Sequence, residues 1–351
     1  MPLLSRTSVV LATLAALGIA AARPALAQNY TYTTLDDPLA TAYTTSFTTF
    51  SGTLANGINA AGQIVGFYYD ATGSHGFLYS AATGFSTLDN PGTTDNGALG
   101  INASGQVVGG YADATGSYGY LYTPGVGFSQ VNDPKALGTN ASTFASGIND
   151  AGQIVGIYTD DTQLHGFLET PGVGGAPATF TDINDPDATS NTTARGINNK
   201  GQIVGEYLAG TKIKREFGYL YTPGAGFTTI ATPSAASATV ATSVNDLGQV
   251  AGRYFNKTGN HGFVAVPGTG GTPSTFALLD DPLAVHGTFA SGINNLGQVV
   301  GYYTDANNVY HGFIATPAAV PEASSLVSLG GLLLLGAGGA LAASRKRTKV
   351  I

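Results

Sequence analysis

The stretch GINDAGQIVGIYTD, Gly147 to Asp160, spaces glycines along an apolar run that ends on a carboxylate, the outline of a phosphate-binding loop. Such loops work because a strand runs through the glycines into a helix whose N-terminal N–H groups hold the anion, and a P-loop adds a lysine. Here no helical pattern follows and the lysine is missing, so nucleotide chemistry is excluded. The paired carboxylates Asp36-Asp37, Asp160-Asp161 and Asp280-Asp281 suggest acid–base work. Adjacent side chains of an extended chain point apart, however, whereas glycosidase carboxylates face each other across roughly 5 to 9.5 Å. These pairs precede proline or sit in turn sequences, where Asp caps the backbone. Asp70, Asp113, Asp160 and Asp305 are read the same way, because none lies in the Asp-x-Asp-x-Asp spacing of a calcium loop.

His75, His165, His261 and His311 each open a His-Gly-Phe triplet at one repeat position, on separate units that cannot bring them to one metal. That position holds Tyr118 in unit two and is displaced by Arg215 and Glu216 in unit four, and a structural hydrogen-bonding role is expected for it. His286 stands alone in a loop and reads as solvated surface. Cysteine is absent, which removes thiol nucleophiles and thiolate metal sites, and no cofactor is expected. The formal net charge is −7, and Arg6, Arg23, Arg345, Lys346, Arg347 and Lys349 sit at the chain ends, leaving the body more acidic still. An acidic surface repels phosphate backbones, so nucleic acid is not a partner. One stretch departs from this: TKIKREFGYL gathers Lys212, Lys214 and Arg215, with Lys200 in the same unit's first turn. These four are the expected contact for an anionic partner such as an acidic polysaccharide.

The elements that must carry these residues follow from repetition. The opening stretch recurs from residues 57, 100, 147, 196, 243 and 292, a period of 43 to 49 residues. Each unit holds four short runs rich in Val, Ile, Tyr, Phe and Thr, divided by Gly, Asn, Asp and Pro, which predicts four strands and no helix. Asn149 is expected to cap the first turn, with Gly152 at positive φ. Ile154 and Val155, adjacent on one strand, must both be buried, and Gly156 is expected to admit a neighbouring sheet. Four-stranded units buried on both faces predict a six-bladed β-propeller. The sixth unit stops after its third run, while Tyr30 to Pro38 is an unpaired fourth run, so the N-terminal strand is expected to complete blade six and close the ring.

Tyr68, Tyr111, Tyr158, Tyr207, Tyr254 and Tyr303 repeat in every unit and are expected to pack between blades. The preceding residue varies: Phe67, Gly110, Ile157, Glu206, Arg253, Tyr302. Glu206 and Arg253 are expected to form an ion pair between blades four and five.

With its G-I-N-x-x-G-Q-I-V-G core and His-Gly-Phe triplets over most of residues 30 to 317, the repeat resembles the extracellular HAF-type repeat, which carries His-Ala-Phe. The resemblance supports the architecture and implies no activity. At the N-terminus, Arg6, the apolar run Ser8 to Ala22 and Ala25-Leu26-Ala27 before Gln28 predict a signal peptide of residues 1–27, cleaved between Ala27 and Gln28. At the other end, Val320-Pro321-Glu322-Ala323, the uncharged segment 326–343 and the basic tail resemble a PEP-CTERM sorting signal, with Ala323 where that motif has its second proline. The resemblance implies recognition by an exosortase-like sorting protease after transient anchoring of the transmembrane helix 326–343 in the inner membrane of a Gram-negative bacterium, and a setting of exopolysaccharide and biofilm assembly. Residues 28–319 are therefore expected to be an exported, non-catalytic binding or structural module for glycans or other surface proteins. The alternative is a glycan-active hydrolase or lyase with its site over the central channel, disfavoured by the lack of a unit-specific His, Glu and Arg cluster in the sequence.

Overall fold

The computed structural model describes residues 29–318, apart from 47, 94, 140, 212, 233–237 and 269–273. The cleavage site at Ala27 and Gln28, the motif Val320 to Ala323, segment 326–343 and Lys212 lie outside the described residues. Among the described residues the chain is all-β, and no helix is long and apolar enough to cross a membrane.

Six units of four antiparallel strands follow one another. Unit one comprises Thr53–Ile58, Ile64–Asp70, Gly73–Ser80 and Gly84–Thr87; unit four comprises Thr192–Ile197, Ile203–Ala209, Arg215–Thr222 and Gly226–Ile230. Unit six has only Thr288–Ile293, Val299–Thr304 and Tyr310–Pro317 from its own stretch of chain. Its fourth strand is Tyr30–Leu35, paired antiparallel with Tyr310–Pro317 in a register that runs from Tyr30↔Pro317 to Leu35↔Gly312.

The first turn forms as its residues require. Asn149 Oδ1 accepts the N–H groups of Ala151 and Gln153 at 3.1 and 3.0 Å, and Gly152 takes a φ of 77°. The adjacent apolar pair of each second strand feeds two cores. Ile154 packs with Val108 of unit two, and Val155 with Ile203 of unit four. The same alternation ends with Val299 beside Ala251 of unit five and Val300 beside Ile64 of unit one. Each of these side chains is fully buried and contributes about 1.5–3 kcal/mol, so the cores between units hold the molecule together.

Two expectations need correction. The strands group into sheets of twelve, eight, four and two rather than six sheets of four. The cause is local: the third strand of one unit meets the first strand of the next at single parallel bridges, Ser74↔Asp95, Ser117↔Ser142 and Glu216↔Ala238, which fuse units one to three and four to five. Gly156 does not receive a neighbouring sheet. A Cβ there would overlap the Phe144 carbonyl and the Phe167 ring, both of unit three. The close approach between units occurs at the first strand instead, where a Cβ on Gly147 would lie 2.9 Å from the Arg195 carbonyl oxygen.

Removal of residues 28–40 takes away Tyr30–Leu35 and the buried Leu35 side chain. Loss of that ladder and core residue is expected to cost about 5 kcal/mol and to lower the melting temperature by about 10 °C or more. An unchanged calorimetric melting temperature would show that the strand does not hold unit six to the rest.

Candidate functional site

The six first strands line a common axial cavity, with Asn56, Leu99, Ser146, Arg195, Thr242 and Ser291 among its walls. These six share one structural cause. In every unit the ladder between first and second strands slips by one residue, at Ala55/Gly57, Ala98/Gly100, Ala145/Gly147, Ala194/Gly196, Ala241/Ser243 and Ala290/Gly292. The extra residue of such a bulge escapes cross-strand pairing and is re-aimed, here onto the axial wall. At one end the wall is ringed by six asparagines, Asn59, Asn102, Asn149, Asn198, Asn245 and Asn294. At the other it opens into a cavity of about 240 Å³ lined by Leu54, Asn56, Phe67, Leu99, Ser146, Arg195, Thr242, Arg253, Ser291 and Tyr302.

The charged groups of this mouth are tightly arranged. Glu206, buried, accepts two hydrogen bonds from Arg195, Nε to Oε2 and Nη2 to Oε1, both 2.6 Å. Burial alone would lower the Arg195 pKa, but Glu206 raises it, so Arg195 stays protonated. The guanidinium of Arg253 lies 5.7 Å from the Phe289 ring centroid, and Phe289 stacks on Tyr302 at 4.6 Å and 9°. Burial pushes the Tyr302 phenol up against the opposing pull of Arg253, so it remains a proton donor at neutral pH. The predicted ion pair between Glu206 and Arg253 is therefore absent: the bulge carries Arg195 to the same face as Glu206, and a partner in the same unit is nearer than one across the interface.

A second opening adjoins the mouth and shares Phe67 and Leu99 with it. This cleft, about 390 Å³, is lined by Phe67, Tyr69, Tyr111 and Phe144, with Ser74, Asp95, Asn96 and Ser117 among its polar groups. It exists because unit two places Gly97 opposite Gly110, where unit one has Leu54 opposite Phe67 and unit six has Phe289 opposite Tyr302. Two missing side chains leave a gap, and Phe144 leans over Gly110 while remaining 37% exposed. The short hairpin Ala42–Thr44 and Thr49–Ser51 packs against one of the lining residues, its Phe50 stacked on Tyr69 at 5.2 Å. Burial and the neighbouring Tyr310 push the Tyr69 phenol up to about 12.

The predicted cationic contact divides. Lys200 lies in the turn before Ile203–Ala209, whereas Lys214 and Arg215 follow that strand, so its whole length separates them. Lys214 Nζ donates to Ser190 Oγ at 3.0 Å, and Arg215 is exposed. Lys200 stands near Asp246 at the asparagine-lined end. Among the described residues, Lys200 is thus set apart from Lys214 and Arg215. Sequence reasoning passed over Arg195, Phe144 and the Gly97/Gly110 gap, although aligned units show the signal: the residue between Ala and Gly varies in strands that otherwise repeat. Arg195, with Glu206 paired to it, and Arg253 do meet at the mouth, where no histidine lies among the lining residues.

The histidines are held within their units. His75 stacks on Tyr68 at 5.4 Å and contacts Asp89 at 2.6 Å and Asp70 at 3.1 Å; His165, His261 and His311 repeat the stacking on Tyr158, Tyr254 and Tyr303. Unit four places Phe217, not Arg215 or Glu216, at this position, because its longer turn shifts the register to Tyr207↔Phe217. Asp70, Asp113 and Asp160 accept the N–H groups two residues ahead at 2.7 Å, which makes them turn caps.

No protein-family model and no curated protein matches this sequence. Among solved structures, the Aleuria aurantia lectin, a six-bladed β-propeller that recognises fucose, superposes with a TM-score of 0.46 at 10% identity, covering 83% of this chain and 99% of that one. Trypanosoma rangeli sialidase, bound to the inhibitor DANA, superposes with a TM-score of 0.47 at 8% identity, covering 93% of this chain and 65% of that one.

Two outcomes follow from the site's electrostatics. Arg195→Met leaves Glu206 buried and unpaired, at an expected cost of roughly 2–3 kcal/mol, and a further Glu206→Leu recovers most of it; denaturant unfolding of the single and double variants measures both. For His75, burial lowers the pKa, but Asp89 and Asp70 outweigh it and the net shift is upward. The stability gained is complete below the unfolded value of about 6.5 and is lost as pH rises through the folded pKa. His75→Gln should therefore destabilise more at about pH 5.5 than at about pH 9, and equal losses at the two pH values would contradict the linkage.

Proposed function

We propose that the body of the chain is a closed six-bladed β-propeller that binds a glycan, without catalysis, along the cleft of unit two and the axial mouth. Ring closure is supported by the pairing of Tyr30–Leu35 with Tyr310–Pro317 and by the core shared by Val300 and Ile64. The observation that carries the binding reading is the substitution of one strand level by six different side-chain pairs. Their glycine pair opens an aromatic-walled cleft continuous with the mouth. Aromatic faces accept the apolar C–H faces of sugars, and polar groups such as Asn96, Ser117 and Asp95 fix orientation. Two adjoining cavities suit several sugar residues in a row.

The enzyme reading is weaker on the same residues. Most glycoside hydrolysis uses two carboxyl groups, one of them able to carry a proton, whereas Glu206 has both oxygens clamped by Arg195. Tyr302, held protonated, is no ready base for a lyase. The cell-surface and biofilm setting, and a role for an exosortase-like protease, rest on the two chain ends as sequences.

Incubation with extracellular polysaccharides of Gram-negative bacteria tests the reading. Retention with no new reducing or unsaturated ends is expected, and chain cleavage would favour the hydrolase or lyase. A Cβ on Gly97 meets nothing closer than Phe67 Cδ1 at 3.5 Å, so Gly97→Leu can fill the cleft. It should weaken glycan affinity about tenfold or more with little change in melting temperature, and unaltered affinity would remove the cleft from the site.

A further inference from the structure

The charge at the mouth is opposite to that of the chain as a whole. In a protein of net charge −7, the cavity lined by Arg195 and Arg253 has no carboxylate in its wall. Arg195 is neutralised by Glu206 behind it. Arg253 is different: among the described residues its side chain has no ion-pair partner and makes no hydrogen bond, and its Cζ lies over the Phe289 ring. A contact with the ring uses none of the guanidinium N–H groups as hydrogen-bond donors to oxygen, and these form a rigid fork that matches two carboxylate oxygens. A half-buried cation placed without an anion in a ligand cavity is completed by an anion on the ligand.

Resting on the glycan reading above, we infer that the sugar at the axial mouth carries a carboxylate, as a uronic acid does, paired bidentately with Arg253, while neighbouring sugars of the same chain lie in the cleft of Phe67 and Phe144. A sulfate or phosphate ester fits less well. It presents three acceptor oxygens, and apart from the two guanidinium groups the wall's donors are Asn56 and the hydroxyls of Ser146, Thr242, Ser291 and Tyr302, of which Asn56 Nδ2 already donates to the Ala98 carbonyl and Thr242 Oγ1 to the Ala251 and Ala290 carbonyls. The Phe289 and Tyr302 stack does for Arg253 what Glu206 does for Arg195: it fixes the side chain, but without cancelling its charge.

Calorimetric titration of the purified full chain separates this inference from the reading beneath it. The probes are oligogalacturonate and oligomannuronate, their methyl esters, the neutral galactose oligomer and a sulfated galactose oligomer. One of the free acids is expected to bind about tenfold or more tighter than its ester, in keeping with a charge-assisted bidentate contact. Arg253→Gln is expected to bring the acid down to the affinity of the ester, and Arg253→Lys, which keeps the charge and loses the fork, to fall between. Equal affinity of acids and esters, or preference for the sulfated oligomer, would overturn the carboxylate and leave a glycan site. Failure of every probe to bind would overturn the glycan reading and the inference with it. The comparison of acid with ester needs no variant, so it stands even if the substitutions impair folding.

Discussion

One hydrogen bond, made six times, sets the axis. Asn59 Nδ2 donates to the Asn102 carbonyl at 3.0 Å, and the pattern passes through Asn149, Asn198 and Asn245 to Asn294, whose Nδ2 donates to the Asn59 carbonyl at 3.2 Å. Each side chain also donates to the Gln four residues on and accepts that residue's N–H, as Asn198 does with Gln202 at 2.8 and 3.0 Å. All six asparagines are almost fully buried, where an amide left unpaired costs about 1–3 kcal/mol. The turn, the strand start and the next unit's backbone are thus fixed by one side chain, which accounts for Asn and Gln together in every copy.

Close approach at the axis follows from that bond. With neighbouring first strands drawn together, five of the six units have glycine two residues before the asparagine, where a Cβ on Gly292 would lie 2.6 Å from the Asn56 carbonyl oxygen; unit five instead has Ser243, whose Oγ accepts the Ile293 N–H at 3.3 Å. The residue before that, being the extra one of the bulge, is turned onto the axial wall and meets no such limit. Chemistry is therefore confined at the asparagine end and free at the mouth. This explains why a chain built from six near-copies can hold a single asymmetric site: the repeat specifies the packing, and the bulge and the residue before each repeated tyrosine are left open to change.

The asymmetry is electrostatic as well as steric. Units four and five supply Arg195, Glu206 and Arg253, units six and one supply rings, and unit two supplies a gap. Two arginines only one unit apart meet different fates because one finds a carboxylate on its own second strand and the other finds an aromatic ring in the following unit.

The sequence by itself determined whatever is local or periodic. The Asn149 turn, the double burial of Ile154 and Val155, and the capping aspartates depend on neighbours within a few residues, and the match of Tyr30–Leu35 to unit six follows from counting strands. Only the tertiary structure decided which side chains from different units meet. A one-residue bulge reverses the alternation from which facing is read, so Arg195 rather than Arg253 reached Glu206. Lys200 and Lys214, close in sequence, are parted by the length of a strand, while Phe67, Arg253 and Tyr302, far apart in sequence, share one wall. Contacts across an axis depend on how all six units sum, and no single unit carries that information.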